Sequence, residues 1–401
     1  EVSGFTTKQW YVNVSDGSST TQSDTWTFTT GVKCDSGSRS STCYVNSTQS
    51  FSQDSTISVN NLVIQDNGEL TTTQQRGELY INTGNYTQLS GSKVRAGNLT
   101  VNATDVTLET NAVVNTTGLG YAASSGPGSG STDSNTDPGG AGGYGGHGAY
   151  PDPFRGIMGG KPYGSRLEAS RYGSGGGSGD GDSGKPGGGT VTLEASNTAT
   201  INGDILARGG SPSNTGGPGS GGSVRIIANT IQGSGRLDAD GGYVQRPYGY
   251  TTSRMGSGGG GRLLLNASNT YDFTGTTTVE GGKSIWDYGR PGTVYREENG
   301  GQVICDSGSL DTTCEVTSRR TVLTDIAGTG TLIVKDNATL ELGNVTVSLQ
   351  NISVKKGSVI DASRFGHVAV NGPGAGSSDS GYSGGGGSGV YGGPSDFIRS
   401  G

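Results

Sequence analysis

Short apolar and β-branched runs recur along the chain, separated by polar turn residues and clusters of glycine. Thr190–Leu193 (TVTL) and Val224–Ile227 (VRII) are two such runs. Runs of this length between Gly, Asn, Asp and Ser predict β-strands, and no segment carries a credible helical pattern. The sequence therefore predicts an all-β protein.

Three segments in the glycine-rich half repeat one order: glycines, an apolar strand, a polar turn, a second strand and a glycine pair. They begin at Gly187 (GGGTVTLEASNTATINGDILARGG), Gly221 (GGSVRIIANTIQGSGRLDADGG) and Gly260 (GGRLLLNASNTYDFTGTTTVEGG). We expect the turn residues Asn197, Asn229 and Asn269 to tolerate left-handed backbone and to stack in ladders. Parallel strands that stack in this way need few apolar residues.

The chain also contains a longer repeat, and the length of a deletion in its second copy indicates the size of the repeating unit. Leu62–Asn67 (LVIQDN) matches Leu332–Asn337 (LIVKDN) at an offset of 270, whereas the segments from Asn98 and Asn344 match at an offset of 246. The second copy is therefore shorter by 24, the difference between the two offsets. Three short strands and their turns occupy roughly 20–25 residues, so the clean loss predicts one turn of a β-solenoid, a parallel β-helix with glycine-rich loop layers.

The N-terminal region has a different pattern. Lys8–Thr30 gives two alternating strands around a DGSS turn and resembles the final hairpin of a fibronectin type III or related immunoglobulin-like β-sandwich. The predicted domains are residues 1–31 as the end of that sandwich, 32–301 as a first β-helix repeat with a glycine-rich insertion, and 302–401 as the start of a second repeat. We expect the chain to be a window of a longer mature protein.

Composition alone is typical of disorder, because only 29% of the 401 residues are hydrophobic and 78 are glycine. The clustered glycines and the strand-like runs between them contradict that interpretation. The net charge of −7 excludes a cationic surface for nucleic acid or anionic membrane as the default function. No run approaches the ~18–20 apolar residues of a membrane span.

Four cysteines form two similar pairs. Cys34 and Cys43, like Cys305 and Cys314, enclose eight residues each. Zinc sites have shorter knuckles or histidine partners, so two local disulfides are favoured. They predict an oxidising compartment and an extracellular, secreted or cell-surface location.

Asn-x-Ser/Thr sequons agree with secretion, although serine and threonine are common enough for some to arise by chance. The candidate N-glycosylation sites are Asn13, Asn46, Asn85, Asn98, Asn102, Asn115, Asn266, Asn337, Asn344 and Asn351.

The order of the glycine motifs resembles that of glycine-rich, pectin-lyase-like β-helix repeats in large extracellular and surface proteins. The matching pieces are Gly126–Gly128, Gly145–Gly148, Tyr163–Ser165, Gly173–Gly177, Gly187–Val191, Gly258–Arg262 and Pro291–Tyr295. The resemblance implies a surface or matrix component without a known reaction. Tandem glycosylated copies also resemble shafts of extracellular filaments such as mastigonemes, an analogy of architecture rather than of motif.

The run Gly139–Tyr150 (GGAGGYGGHGAY) has three interpretations: a packed layer, a flexible tether or a functional loop. Linkers rarely carry aromatic residues, and tyrosines recur through both glycine-rich zones, which favours a packed layer with tyrosines as pegs. The period of three also suits extended left-handed helices lying side by side. The tyrosines are Tyr121, Tyr144, Tyr150, Tyr163, Tyr172, Tyr382 and Tyr391.

Two enzyme-like constellations are present, and β-helices include polysaccharide hydrolases and lyases. Asn135–Asp137, Gly146–Gly148 and Arg225–Ile227 resemble polygalacturonase motifs but lack the paired aspartates that inverting hydrolysis requires. Asp204, Asp238 and Asp240, with Arg225 and Arg236, suggest a calcium-assisted lyase, but turn acids that bind backbone amides are favoured. Gly179–Ser183 is only half of a calcium loop.

The expected function is therefore a non-enzymatic, glycosylated structural protein: a tandem β-helix shaft or adhesive fibre of an extracellular filament, cell surface or matrix. We expect no catalytic residue, metal or cofactor. The expected partners are neighbouring repeats, further copies of the chain and covalent glycans, without nucleic acid. The alternative is a carbohydrate-binding or polysaccharide-cleaving β-helix protein.

Overall fold

Every regular element among the described residues is a β-strand, as the alternating runs predict. The computed structural model describes residues 6–23, 26–30, 32–52, 54–133, 138–149, 157–165, 167–213, 215–244, 256–284, 288–343, 345–362, 378–379 and 382–383. The chain divides into two compact units, Glu1–Ile304 and Cys305–Gly401. The assignment of residues 1–31 to a separate immunoglobulin-like domain stays a prediction.

The first unit opens with two antiparallel strand pairs. Strand β1 (Thr6–Trp10) pairs with β4 (Trp26–Thr30), and β2 (Asn13–Ser15) pairs with β3 (Thr20–Gln22). In the turn between β2 and β3, Oδ1 of Asp16 accepts hydrogen bonds from the amide nitrogens of Ser18 at 2.9 Å and Ser19 at 2.7 Å. The predicted DGSS turn is present, within four strands rather than two.

Two larger sheets follow in the first unit. The long sheet contains β5 (Ser36–Gly37), β6 (Thr42–Val45), β8 (Ser55–Ile64), β10 (Glu78–Gln88), β12 (Asn98–Leu108), β14 (Thr190–Ile201), β16 (Ser223–Gly233), β18 (Arg262–Phe273), β20 (Thr293–Glu298) and β21 (Gly301–Gln302). The short sheet contains β7 (Thr48–Phe51), β9 (Glu69–Thr72), β11 (Lys93–Arg95), β13 (Val113–Asn115), β15 (Asp204–Leu206), β17 (Arg236–Asp238) and β19 (Thr276–Thr278).

The chain alternates between these sheets and advances by one strand position in each at every pass. All neighbouring strands are parallel except the hairpins β5–β6 and β20–β21. Residues 116–189 lie between β13 and β14, yet Asn98 of β12 pairs directly with Thr190 of β14. The long insertion therefore leaves the ladder intact. This arrangement is compatible with a β-helix-like fold.

Apolar side chains between the two sheets form the core, because residues alternate between the two faces of each strand. One inward ladder crosses six strands of the long sheet, and each of its residues is at most 1% exposed. Burying each such side chain contributes about 1.5–3 kcal/mol. The ladder consists of Leu79, Leu99, Val191, Val224, Leu263 and Val294.

The long strands β14, β16 and β18 run continuously through the predicted polar turns, with a shift of register there. The register shifts beside Ala195 and Ala228, and Asn197 donates a hydrogen bond from Nδ2 to Oδ1 of Asp105 at 2.8 Å. Asn197, Asn229 and Asn269 do not have positive φ, so the expectation of left-handed backbone is wrong: these residues lie within strands whose register shifts beside them. The described asparagines with left-handed backbone are Asn67, Asn111, Asn299 and Asn337.

The second unit contains shorter parallel ladders. One sheet holds β22 (Ser307–Gly308), β23 (Thr313–Val316), β26 (Thr331–Val334) and β29 (Asn351–Val354); a second holds β24 (Arg320–Val322), β27 (Thr339–Leu342) and β30 (Val359–Asp361). Strand β25 (Ile326–Ala327) pairs with β28 (Val347–Ser348), and β31 (Ser378–Asp379) with β32 (Tyr382–Ser383). Only β22–β23 and β31–β32 are antiparallel among the described pairs of this unit.

Strand pairing gives the deletion in the second copy a structural meaning. In the first unit Leu62 pairs with Tyr86, and Tyr86 pairs with Val106. In the second unit Leu332, the counterpart of Leu62, pairs directly with Ile352, the counterpart of Val106. The short sheet loses one strand in the same way. The missing segment corresponds to one strand of each sheet.

Candidate functional site

The glycine-rich segments form a packed layer, which we call the glycine layer and define as residues 138–149, 173–189, 215–222 and 256–261. They contain no β-strand and only the bridge residues Gly179, Asp182 and Gly256, yet they bond to one another through backbone groups. The amide of Gly177 donates to the carbonyl of Gly140 and that of Gly217 to Gly177, both at 2.8 Å; the amide of Gly259 donates to Gly142 at 2.9 Å. Such sideways bonding favours the packed layer over the flexible tether.

Close approach of backbones explains why this layer contains glycine. A Cβ atom added to Gly142 would lie 2.3 Å from the carbonyl oxygen of Ser174, and one added to Gly217 would lie 2.1 Å from that of Gly140. Neither distance is compatible with a side chain, and both neighbours are backbone atoms. The residue type is therefore required by packing between segments.

Tyr144 anchors the glycine layer to the long sheet. Its hydroxyl lies 2.7 Å from Oγ of Ser223 and accepts a hydrogen bond from the amide of Arg171 at 3.3 Å. The Arg262 guanidinium lies 5.2 Å from the centre of its ring, and the Tyr163 ring packs at 4.9 Å. Burial raises the pKa of the Tyr144 phenol. Tyr144 is a buried peg, as its position in the glycine run predicts.

A second anchor involves an arginine that sequence reasoning missed. The Arg76 guanidinium lies 5.0 Å from the ring centre of Tyr121 and 5.7 Å from that of Tyr172. Nε2 of Gln75 donates to the carbonyl of Gly120 at 2.8 Å, and burial raises the pKa of Tyr172 to about 12. Cation–π contacts thus join the connection between β9 and β10, which contains Arg76, to the insertion between β13 and β14, which contains both tyrosines. Tyr150, Tyr391 and the side chain of Tyr382 lie outside the described residues.

The acidic corner, as we call Asp238, Asp240 and their neighbours, lies at the end of β17. Asp238 is only 1% exposed, and its Oδ2 accepts hydrogen bonds from Nε of Arg208 at 2.7 Å and Nη2 of Arg236 at 2.5 Å. Asp204 of β15 pairs with Arg236 in the ladder. Asp238 is therefore held by ion pairs with two arginines.

Asp240 lies in a different environment. Burial raises the pKa of its carboxyl to about 6, and the Asp238 charge adds to the effect. Its Oδ1 accepts hydrogen bonds from the Thr278 hydroxyl and from the Glu280 amide, both at 2.6 Å. A carboxyl of this kind can exchange a proton near pH 6. Its bond to a backbone amide also agrees with the turn-acid interpretation.

The other residues of the suggested lyase set are not all brought together. Arg225 lies on β16 of the long sheet, where its Nη1 binds Oε1 of Glu194 at 2.5 Å. No group of three or more His, Cys, Asp or Glu suited to a metal ion occurs in the described part of the chain.

The half calcium loop forms a tight turn. Gly179 and Asp182 exchange two backbone hydrogen bonds of 2.9 and 2.8 Å around Asp180 and Gly181, which both have positive φ. Oδ2 of Asp182 accepts a hydrogen bond from the Thr215 hydroxyl at 2.9 Å. The carboxylate thus ties the turn to the neighbouring glycine-rich segment.

The histidine of the polygalacturonase-like motif lies inside the glycine layer. The carbonyl of His147 accepts a hydrogen bond from the amide of Arg290 at 2.8 Å. Asn135 and Asp137 lie outside the described residues, so the structure does not test that constellation. The backbone contact shows that this segment packs against residues far along the chain.

Both predicted cysteine pairs are disulfide-bonded. Cys34 joins Cys43, and Cys305 joins Cys314. In the first unit the bond joins the loop at Cys34 to strand β6, which contains Cys43. In the second unit it joins the loop at Cys305 to strand β23, which contains Cys314. Disulfides are consistent with an oxidising, extracellular compartment.

None of the sequon asparagines that the structure describes is buried. Asn344 lies outside the described residues, and glycosylation of all ten stays a prediction. The exposed asparagines are Asn13, Asn46, Asn85, Asn337 and Asn351, and the half-buried ones are Asn98, Asn102, Asn115 and Asn266.

Comparison of the chain with protein-family models, with curated proteins and with solved structures found no match in any of the three. Within the described residues, no helix has the length and apolar character needed to cross a membrane.

Proposed function

We propose that the protein is a non-enzymatic structural component of an extracellular filament or of a cell-surface or matrix assembly. In this proposal the two parallel sheets are the walls of a β-helix, and the glycine layer packs beside it. The observation that carries the proposal is the alternation of successive strands between the two sheets from β6 to β20, with an unbroken inward apolar ladder across β10 to β20.

A repeat of this kind suits a shaft because each turn contacts only its neighbours, so turns add without a new fold. Within the stretch that the two copies share, the second unit lacks one strand of each sheet, which supports this modularity. The disulfides support an oxidising location. Partners would be neighbouring repeats, copies of the chain and covalent glycans, as the resemblance to glycine-rich surface repeats and mastigoneme-like filaments implies.

Electron microscopy tests this proposal. Protein secreted from eukaryotic cells is imaged by negative stain at several concentrations, and we expect elongated particles that associate end to end as the concentration rises. Compact round particles at every concentration would contradict a shaft. Reduction of the disulfides provides the control, since it should lower thermal stability before it changes particle length.

The alternative, a polysaccharide-cleaving protein, is favoured by one observation only: Asp240 has a pKa of about 6 next to Asp238, which binds two arginines. Incubation with pectin-like and alginate-like polymers, with ultraviolet absorbance of unsaturated products as the signal, tests it. Turnover that is lost in Asp240→Asn would establish a lyase. We expect no turnover by the wild-type protein or by Asp240→Asn.

A further inference from the structure

The outer face of the long sheet carries a sequon asparagine beside an exposed aromatic ring. Asn102 of β12 donates a hydrogen bond from Nδ2 to the hydroxyl of Tyr80 on β10. Tyr80 is 38% exposed, so part of its ring is open to solvent. The threonine of the sequon, Thr104, is exposed as well.

The residues around Asn102 are polar and share its face. Asn82 of β10 and Glu194 of β14 are its direct neighbours in the ladder. Strands lie about 4.8 Å apart and alternate residues of one strand about 6.8 Å apart, so this patch has the dimensions of one or two sugar rings. The side chain of Glu194 is 42% exposed and binds Arg225, which bounds the patch on the side away from Tyr80.

Sugar rings have one face of C–H groups and a rim of hydroxyls. The first stacks on an aromatic ring, and the second binds carboxylates and amides. Tyr80 supplies the ring, while Asn82 and Glu194 supply the polar groups. A glycosylated asparagine keeps one hydrogen on Nδ2, so the bond from Asn102 to the Tyr80 hydroxyl is compatible with an attached sugar.

We propose that Asn102 carries an N-linked glycan whose first sugars pack on Tyr80 and cover the outer face of β10, β12 and β14. The proposal rests on the secretion included in the proposed function. Asn85 provides the contrast. It is an exposed sequon on β10, but Tyr86 beside it points inward and is fully buried. A glycan at Asn85 therefore has no such ring to pack on.

The test uses the full chain secreted from eukaryotic cells. Peptide mass spectrometry measures occupancy at each sequon, and thermal unfolding gives Tm. Thr104→Ala removes the Asn102 sequon and should lower Tm by about 2–4 °C, whereas Thr104→Ser retains the sequon and should leave Tm unchanged. Thr87→Ala, which removes the Asn85 sequon, should also leave Tm unchanged. In a Tyr80→Ala background, Thr104→Ala should have no further effect.

Each contrary outcome has a separate meaning. A bare Asn102 beside an occupied Asn85 overturns the inference and leaves the proposed function intact. An occupied Asn102 whose loss lowers Tm equally with and without Tyr80 overturns the packing on that ring. Absence of glycan at every sequon overturns the inference and also contradicts the glycosylated shaft.

Discussion

Asp238 and Asp240 lie two residues apart but experience opposite electrostatic surroundings. Asp238 binds Arg208 and Arg236, whereas burial and the Asp238 charge raise the pKa of Asp240 to about 6. The sequence identified this acidic pair from its spacing. It did not reveal the difference between the two, because Arg208 lies just after β15, 30 residues before Asp238. Electrostatic environments depend on strand register, which no local motif contains.

The raised pKa predicts a pH effect on stability. An acid whose pKa is higher in the folded state binds more protons when folded, so the free energy of unfolding falls as pH rises from about 4 to about 6. The shift corresponds to at most about 3 kcal/mol above pH 6. Asp240→Asn keeps the Oδ1 acceptor for Thr278 and Glu280. We therefore expect it to be more stable than the wild type at pH 7 and equal to it at pH 4.

Urea unfolding at pH 4, 5, 6 and 7 measures the difference between the two proteins. The comparison removes the contribution of all other titrating groups, because both proteins contain them. Asp35 is one such group: desolvation opposes its ionisation, but hydrogen bonds from Asn46 and Ser47 lower its pKa. A difference that is constant with pH would show that Asp240 does not titrate in this range.

The first unit contains β-strands and the glycine layer, and the sequence predicted the strands more fully than the contacts of the glycine layer. Runs such as Thr190–Leu193 predicted strands correctly, since period-two alternation is a local property. A turn with left-handed backbone was expected at Asn197, but strand β14 continues through this residue with a shift of register. The glycine layer was favoured from its tyrosines, although the bonding partners of each segment are far away in sequence. Arg76 was missed because its two tyrosines belong to a distant insertion.

The glycine layer should not tolerate even one methyl group at its contacts. In Gly142→Ala the new Cβ would lie 2.3 Å from the Ser174 carbonyl oxygen, so segments must separate and the hydrogen bond from Gly259 weakens. Overpacking of this kind costs about 1–3 kcal/mol or more. We expect the melting temperature of Gly142→Ala to fall by several degrees.

Gly301→Ala is the matched control, because the nearest atom to its added Cβ, the Glu298 carbonyl oxygen, lies 3.5 Å away. Differential scanning calorimetry on both variants measures the effect. If Gly142→Ala melts with the wild type, the segments do not pack as closely as these distances indicate.

At the scale of the whole molecule, the two repeated parts, which start at Cys34 and at Cys305, begin in the same way. Each has a disulfide-bonded loop and then parallel strands, and the first inward position of the shorter strands is polar: Gln49 in one unit and Arg320 in the other, both buried. Gln49 exchanges hydrogen bonds with the backbone of Lys33, and Arg320 binds Asp306. Polar residues at this position close the end of each apolar core. Alignment of the two copies revealed the repeat, but only strand pairing revealed these closing residues.

If the repeating unit consists of one strand of each sheet, such a pair of strands can be deleted from the first copy, since the second copy already lacks it. The segment 74–97 contains β10 and β11 and is the part of the first copy that has no counterpart in the second. We expect its deletion to give a secreted, folded protein in which Leu62 pairs with Val106, as Leu332 pairs with Ile352. Tm should fall, because Arg76 is lost.

Deletion of residues 78–88 alone is the decisive comparison. It removes a shorter segment but takes β10 from the long sheet and leaves β11 in the short sheet, so the strands can no longer alternate. Core residues would then face solvent, because one missing strand displaces every later ladder. We expect this shorter deletion to abolish secretion or cooperative melting, measured by circular dichroism in the far ultraviolet. Equal behaviour of the two deletions would mean that the segment 74–97 is not a structural unit.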